Sequence, residues 1–110
     1  MANDANFYQH VFEVVRQIPP GRVTSYGAIA KFLGAPTWSR KVGHAMGQLP
    51  TEGEPVPFQR VVSGSGHLSG STDNIEYRIS LLEKEGISFV GNKIQNFKAV
   101  NWDPSIELDY

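Results

Sequence analysis

The sequence predicts a mostly α-helical domain with small β elements, arranged as a winged helix-turn-helix. Three observations lead there. Phe7, Val11, Val14, Val15 and Ile18 recur at helical spacing ahead of a Pro19-Pro20-Gly21 stop, which marks an amphipathic helix with one buried face. Two short apolar-periodic segments then flank the connector "GAPTW", the pattern of two helices joined by a tight turn. Finally, the β-branched "RVVS" runs into "SGSGHLSGS", a strand followed by a mobile turn or hairpin tip, which after a helix-turn-helix would be a wing.

Taken in order, the first helix has Asn3 or Asp4 available as its N-cap. "RVT" can form a short strand after the prolines, and Thr24 or Ser25 then caps a second helix with Tyr26, Ile29, Ala30 and Leu33, ending at Gly34. Pro36 cannot continue that helix. Thr37 or Ser39 can cap a third, with Val42, Ala45, Met46 and Leu49 on its inner side. "PTEGEPVP" is acidic and proline-rich and reads as an exposed connector. A fourth helix is expected from about Asn74 to Glu85, carrying Ile75, Ile79, Leu81 and Leu82, with Gly86 as its left-handed C-terminal residue. "ISFV" and "KIQNFKAV" read as strands around a "GN" turn. This gives a single domain over residues 1–100 and an acidic tail, "NWDPSIELDY", over 101–110.

A chain of 110 residues is one domain's worth. Its formal net charge of -1 means that nucleic-acid binding would have to come from a local basic patch. Cysteine is absent, which removes disulfides, a thiolate nucleophile and cysteine-containing metal sites together, and fits a cytoplasmic setting. No basic region precedes an apolar run at the N-terminus, and no stretch approaches the ~18 apolar residues of a membrane span. Neither secretion nor membrane insertion is expected.

Catalytic motifs are missing. There is no G-x-S-x-G elbow, and His10, His44 and His67 are scattered. No metal-ligand spacing occurs, and no cofactor is implied. The basic cluster "WSRKVGH" places Arg40 and Lys41 in the first turn of the third helix, where N–H groups and the helix dipole favour phosphate. An ordinary solvated helix start would have the same composition. Tyr26 fits either a site or a half-buried core position, and Met46 fits simple packing beside Val42.

Four separated blocks, "PPGRVTSYGAIAKFLG", "SRKVGHAMGQLP", "PVPFQRVV" and "LLEKEG", together resemble the C-terminal domain of the O6-alkylguanine-DNA alkyltransferases, in that family's order and spacing from about Phe7 to Val90. In those enzymes the signature Pro-Cys-His-Arg-Val carries the alkyl-accepting thiolate and a histidine that helps deprotonate it. Here the frame reads Pro57-Phe58-Gln59-Arg60-Val61. Neither a phenyl ring nor a carboxamide can take over nucleophile or base, and Glu85, which matches the acidic residue that orients the family's histidine, is left a structural role. The chain thus resembles the alkyltransferase-like proteins, the subgroup that binds alkylated DNA without repairing it.

The resemblance implies a non-enzymatic sensor of O6-alkylguanine in double-stranded DNA that works by nucleotide flipping as a monomer and hands the lesion to nucleotide excision repair proteins. In a bacterium it would be nucleoid-associated. Arg40 would be the finger that replaces the extruded base and Tyr26 the residue that rotates the nucleotide. Thr37, Ser39 and Lys41 would hold phosphates, and Tyr26, Met46, Pro57, Phe58 and Val61 would wall the base pocket. The alternatives are a winged-helix transcription factor that reads undamaged DNA and an enzyme with another nucleophile.

Overall fold

The computed structural model describes residues 4–108. Its first helix, α1 (Asp4–Arg16), buries Phe7, Val11, Val14 and Val15 as their spacing predicts, together with Phe12. Asp4 is already helical, and Asn3 lies outside the described residues. Among the described residues, no helix is long and apolar enough to cross a membrane.

After the prolines, β1 (Thr24–Ser25) leads directly into α2 (Tyr26–Phe32). Ser25, not Thr24, is the cap: its Oγ accepts the Ala28 N–H at 3.0 Å. The following α3 (Ser39–Met46) starts from Trp38, without a side-chain cap from either Thr37 or Ser39. The Trp38 carbonyl accepts the Lys41 and Val42 N–H groups, and its ring meets Phe7 edge-on at 4.9 Å. The half-buried indole packed on Phe7 thus stands at the start of α3 in place of a side-chain cap. Leu49 lies beyond the end of the helix but still packs against the first core.

A single 3₁₀ turn, Phe58–Arg60, precedes β2 (Val61–Val62). β2 pairs in parallel with β1, Thr24 opposite Val61 and Ser25 opposite Val62. Successive side chains of a strand face opposite ways, and here that alternation divides two cores. Val61 belongs to a cluster with α1, α2 and α3, and Val62 to one with Leu68, Leu82, Ile87 and Ile94.

The segment after β2 forms the expected turn, and it is tied down at several points. Ser63 N–H donates to the His67 carbonyl to close a turn, which is then held by Leu68 N–H to Asn92 O and Ile94 N–H to Gly66 O. Gly66, at φ 83, lies so close to Phe97 that a Cβ would come within 3.1 Å of its ring. Leu68 is buried, and this anchoring overrides the flexible composition.

The fourth helix, α4 (Thr72–Lys84), begins two residues before the expected start because Ser71 caps it. Gly86 takes φ 94 at its end, as read. β3 (Phe89–Val90) and β4 (Lys93–Ile94) form the expected hairpin around Gly91-Asn92. The second strand stops early: Asn96 is left-handed at φ 55, and Phe97–Val100 is a short helix, α5, instead of strand.

Residues 101–108 are not a tail. Trp102 is 3 % exposed and joins the first core, Trp102 N–H donates to the Val23 carbonyl, and Arg22 pairs with Glu107 at 3.2 Å. A last helix, α6 (Pro104–Glu107), is capped by Asp103. The domain therefore continues past residue 100 through Leu108. Burying the indole outweighs an acidic composition that by itself suggested solvation. The radius of gyration, 13.2 Å, matches the ~13 Å of one domain of this length.

Candidate nucleic-acid interface

Arg40 and Lys41 stand in the first turn of α3, where backbone N–H groups lack intrahelical partners. Arg40 is exposed and makes no hydrogen bond or ion pair among the described residues. The Lys41 ammonium lies 3.7 Å from the centroid of the Trp38 ring, a cation–π contact that fixes the stem. Thr37 is exposed in the preceding turn and Ser39 is half-buried. These four residues occupy one helix start.

Further along α3 lies a cavity. Gly43, one turn on from Arg40, and Met46 line a space of about 220 Å³ with Tyr26, Gly47, Phe58, Ser69, Asn74 and Arg78. Three of the five expected pocket walls, Tyr26, Met46 and Phe58, are thereby brought together. Pro57 and Val61 are not among the lining residues. The 3₁₀ turn explains the split: Phe58 reaches the cavity, whereas Val61 is fully buried in the first core. Tyr26 is half-buried, as one reading expected, but its hydroxyl has no hydrogen-bond partner among the described residues. A larger depression, about 660 Å³, lies between α1 and the acidic loop and shares none of these residues. It is lined by Gln9, Glu13, Arg16, Glu52 and Glu54 among others, a mixed-charge surface far less suited to a phosphate backbone than the start of α3.

Sequence reasoning named neither Asn74 nor Arg78, which line the cavity, nor Tyr77, which is 55 % exposed and stacks on Phe58 with ring centroids 6.2 Å apart. A readable signal existed for Arg78. It sits with Ile75, Ile79 and Leu82 at i, i+3, i+4, i+7, so a cation occupies the apolar face of α4.

Beside the cavity, Gln59 and Arg60 turn to Glu85. Gln59 Nε2 donates to Glu85 Oε2 at 3.0 Å, Arg60 Nε to both carboxylate oxygens at 2.9 and 3.1 Å, and the Gly21 N–H to Oε1 at 2.9 Å. Arg60 Nη1 also donates to the Ile18 carbonyl. Burial alone would raise the Glu85 pKa, but the hydrogen bonds from Arg60, Gly21 and Gln59 together hold it below its ordinary value. Glu85 is thus committed to ionised structural bonding. Among the described residues the cavity wall offers hydroxyls from Tyr26 and Ser69 and no histidine, carboxylate or thiol.

Residues 6–87 match the family model described as 6-O-methylguanine DNA methyltransferase, DNA binding domain. A DNA base-flipping protein of Vibrio parahaemolyticus is 42 % identical over 81 residues, covering 74 % of this chain and 80 % of its own. Alkyltransferase-like protein 1 of Schizosaccharomyces pombe is 34 % identical over 94 residues, 84 % of this chain and 86 % of its own. The crystal structure of S. pombe Atl1 in complex with damaged DNA containing O6-carboxymethylguanine superposes with a TM-score of 0.79 at 34 % identity, over 94 % of this chain and 100 % of that one. Helix-turn-helix, cavity and similarity agree: the chain belongs to the family of the 6-O-methylguanine DNA methyltransferase DNA-binding domain, among its alkyltransferase-like members.

Proposed function

We propose that this protein is a non-enzymatic sensor of alkylated guanine, which binds duplex DNA through α3 and receives the flipped lesion in the cavity walled by Tyr26, Met46 and Phe58. The observation that carries the reading is that α3 holds the exposed Arg40 at its start and, through Gly43 and Met46, one wall of a cavity whose described lining has no nucleophile-base pair. The base-flipping and alkyltransferase-like names of the relatives support it. Arg40 fills the vacated stack, its planar guanidinium suited to both stacking and hydrogen bonding. Thr37, Ser39 and Lys41 hold the backbone and position the duplex without reading sequence.

Flipping costs a few kcal/mol, less where alkylation has weakened pairing. Stacking on Phe58, at about 1–3 kcal/mol per base, is of the size needed to offset it. In this reading Phe58 stands where the repair enzymes carry their thiolate and Gln59 where they carry the histidine, so the lesion is held, flagged and passed on, in our proposal to nucleotide excision repair.

The test is a titration of paired duplexes, identical except for one O6-methylguanine, with mass measurement afterwards. Tighter binding of the modified duplex, with protein and DNA masses unchanged, is the expected result. Equal affinity for the two duplexes would favour a transcription factor reading undamaged DNA, and a mass shift on the protein would restore an enzyme.

A further inference from the structure

The cavity contains a cation that the fold leaves without a counter-charge. Arg78 is 5 % exposed on α4 and lines the space beside Phe58. A guanidinium carries five N–H donors in a planar fork, yet Arg78 makes a single hydrogen bond among the described residues, from Nη2 to the Ser69 carbonyl. Its Nε is buried with no partner among the described residues. Among the described residues no carboxylate pairs with it, and the other polar groups on the wall, from Tyr26, Ser69 and Asn74, are uncharged. The missing Cβ of Gly70 would lie 3.7 Å from both Arg78 Nη2 and Asn74 Oδ1, so these two groups share one corner.

Burying a charge without a partner is costly, and an apolar residue at this position would extend the Ile75, Ile79, Leu82 face of α4 without that cost. An anion delivered into the cavity would satisfy the spare donors, and a carboxylate matches the guanidinium fork. The backbone phosphates have their own cations, Arg40 and Lys41, at the start of α3. The group that enters beside Phe58 and Met46 is the flipped base with its adduct.

We propose that Arg78 makes this cavity a subsite for O6 adducts ending in a carboxylate, such as carboxymethyl, in preference to neutral adducts of the same size. The inference rests on the proposed function, in that the cavity must take the flipped base. Ser69 holds one end of the guanidinium and leaves the rest of the fork for the ligand.

The experiment compares three duplexes by fluorescence anisotropy, carrying at one position O6-carboxymethylguanine, its neutral isostere O6-carbamoylmethylguanine, or guanine. The charged adduct should bind the native protein about ten- to a hundredfold more tightly than the isostere, the range of one or two charge-assisted hydrogen bonds. Arg78→Gln should bring that ratio close to one by weakening the charged adduct more than the isostere, and Arg78→Lys should restore part of it. A ratio below about twofold in the native protein overturns the inference whatever the variants do, so a variant that fails to fold does not protect it. Equal weakening of both adducts by Arg78→Gln also overturns it, because the arginine would then serve the base or the backbone. Preference for the isostere over guanine with no bonus for the carboxylate sinks this inference alone, and equal binding of all three sinks the sensor reading with it.

Discussion

Arg40 projects from α3 with no side chain competing for it among the described residues, so its removal should be felt in binding and hardly in folding. Arg40→Ala is expected to weaken binding of an O6-methylguanine duplex by about tenfold or more, ~1.4 kcal/mol per decade, with a thermal unfolding midpoint like that of the native protein. Full affinity in the variant would remove the finger role. Arg40 and Lys41 were readable from the sequence because a helix start needs only a local pattern. Arg78 was not read in the same way: its meaning comes from what surrounds it, namely Ser69 from a loop and Phe58 from a turn, more than seven residues away in sequence.

At the scale of elements, Glu85 ties three pieces of chain together: the Gly21 turn, the 3₁₀ turn through Gln59 and Arg60, and its own place at the end of α4. Its folded-state pKa is depressed from an ordinary value of 4.5. The stabilisation is therefore fully present above that value and is lost as pH falls through the lower folded-state pKa, since the unfolded chain binds the proton first. Glu85→Gln should cost about 3 kcal/mol at neutral pH, as breaking a largely buried ion pair does. The gap between variant and native protein in urea unfolding should narrow as the pH is lowered below 4.5. A gap that stays constant with pH would show that the charge of Glu85 contributes nothing. The four α-helices of the core pattern were legible because apolar periodicity reports burial directly. The β elements were harder to place, since two-residue strands carry almost no pattern and β2 finds its partner in β1, 37 residues earlier (61 minus 24).

For the whole molecule, the C-terminal segment closes the domain. Removing residues 101–110 deletes Trp102 from the first core and the Arg22 to Glu107 pair. The loss of a buried indole puts the expected destabilisation at about 3–5 kcal/mol, measured by chemical denaturation, and a truncated chain as stable as the full one would contradict that packing. This part of the fold was hidden in the sequence because its composition is acidic and polar around a single tryptophan. Burial of one large ring decided the outcome, and periodicity cannot announce a contact made by one residue. The anchoring of the turn after β2 was hidden for the mirror-image reason: a Gly- and Ser-rich stretch gains order from Phe97 and the β3–β4 hairpin, partners that its own residues do not reveal.

The chain has two tryptophans, and the structure gives them different surroundings. Trp102 sits in the core, whereas Trp38 is half-buried at the start of α3 under the Lys41 ammonium. Their intrinsic emission therefore separates two events without any label. A red shift of the shielded indole reports loss of the fold, and quenching of the one beside Lys41 reports an occupant arriving at the helix start, so a Trp38→Phe protein is an optical control for DNA titrations.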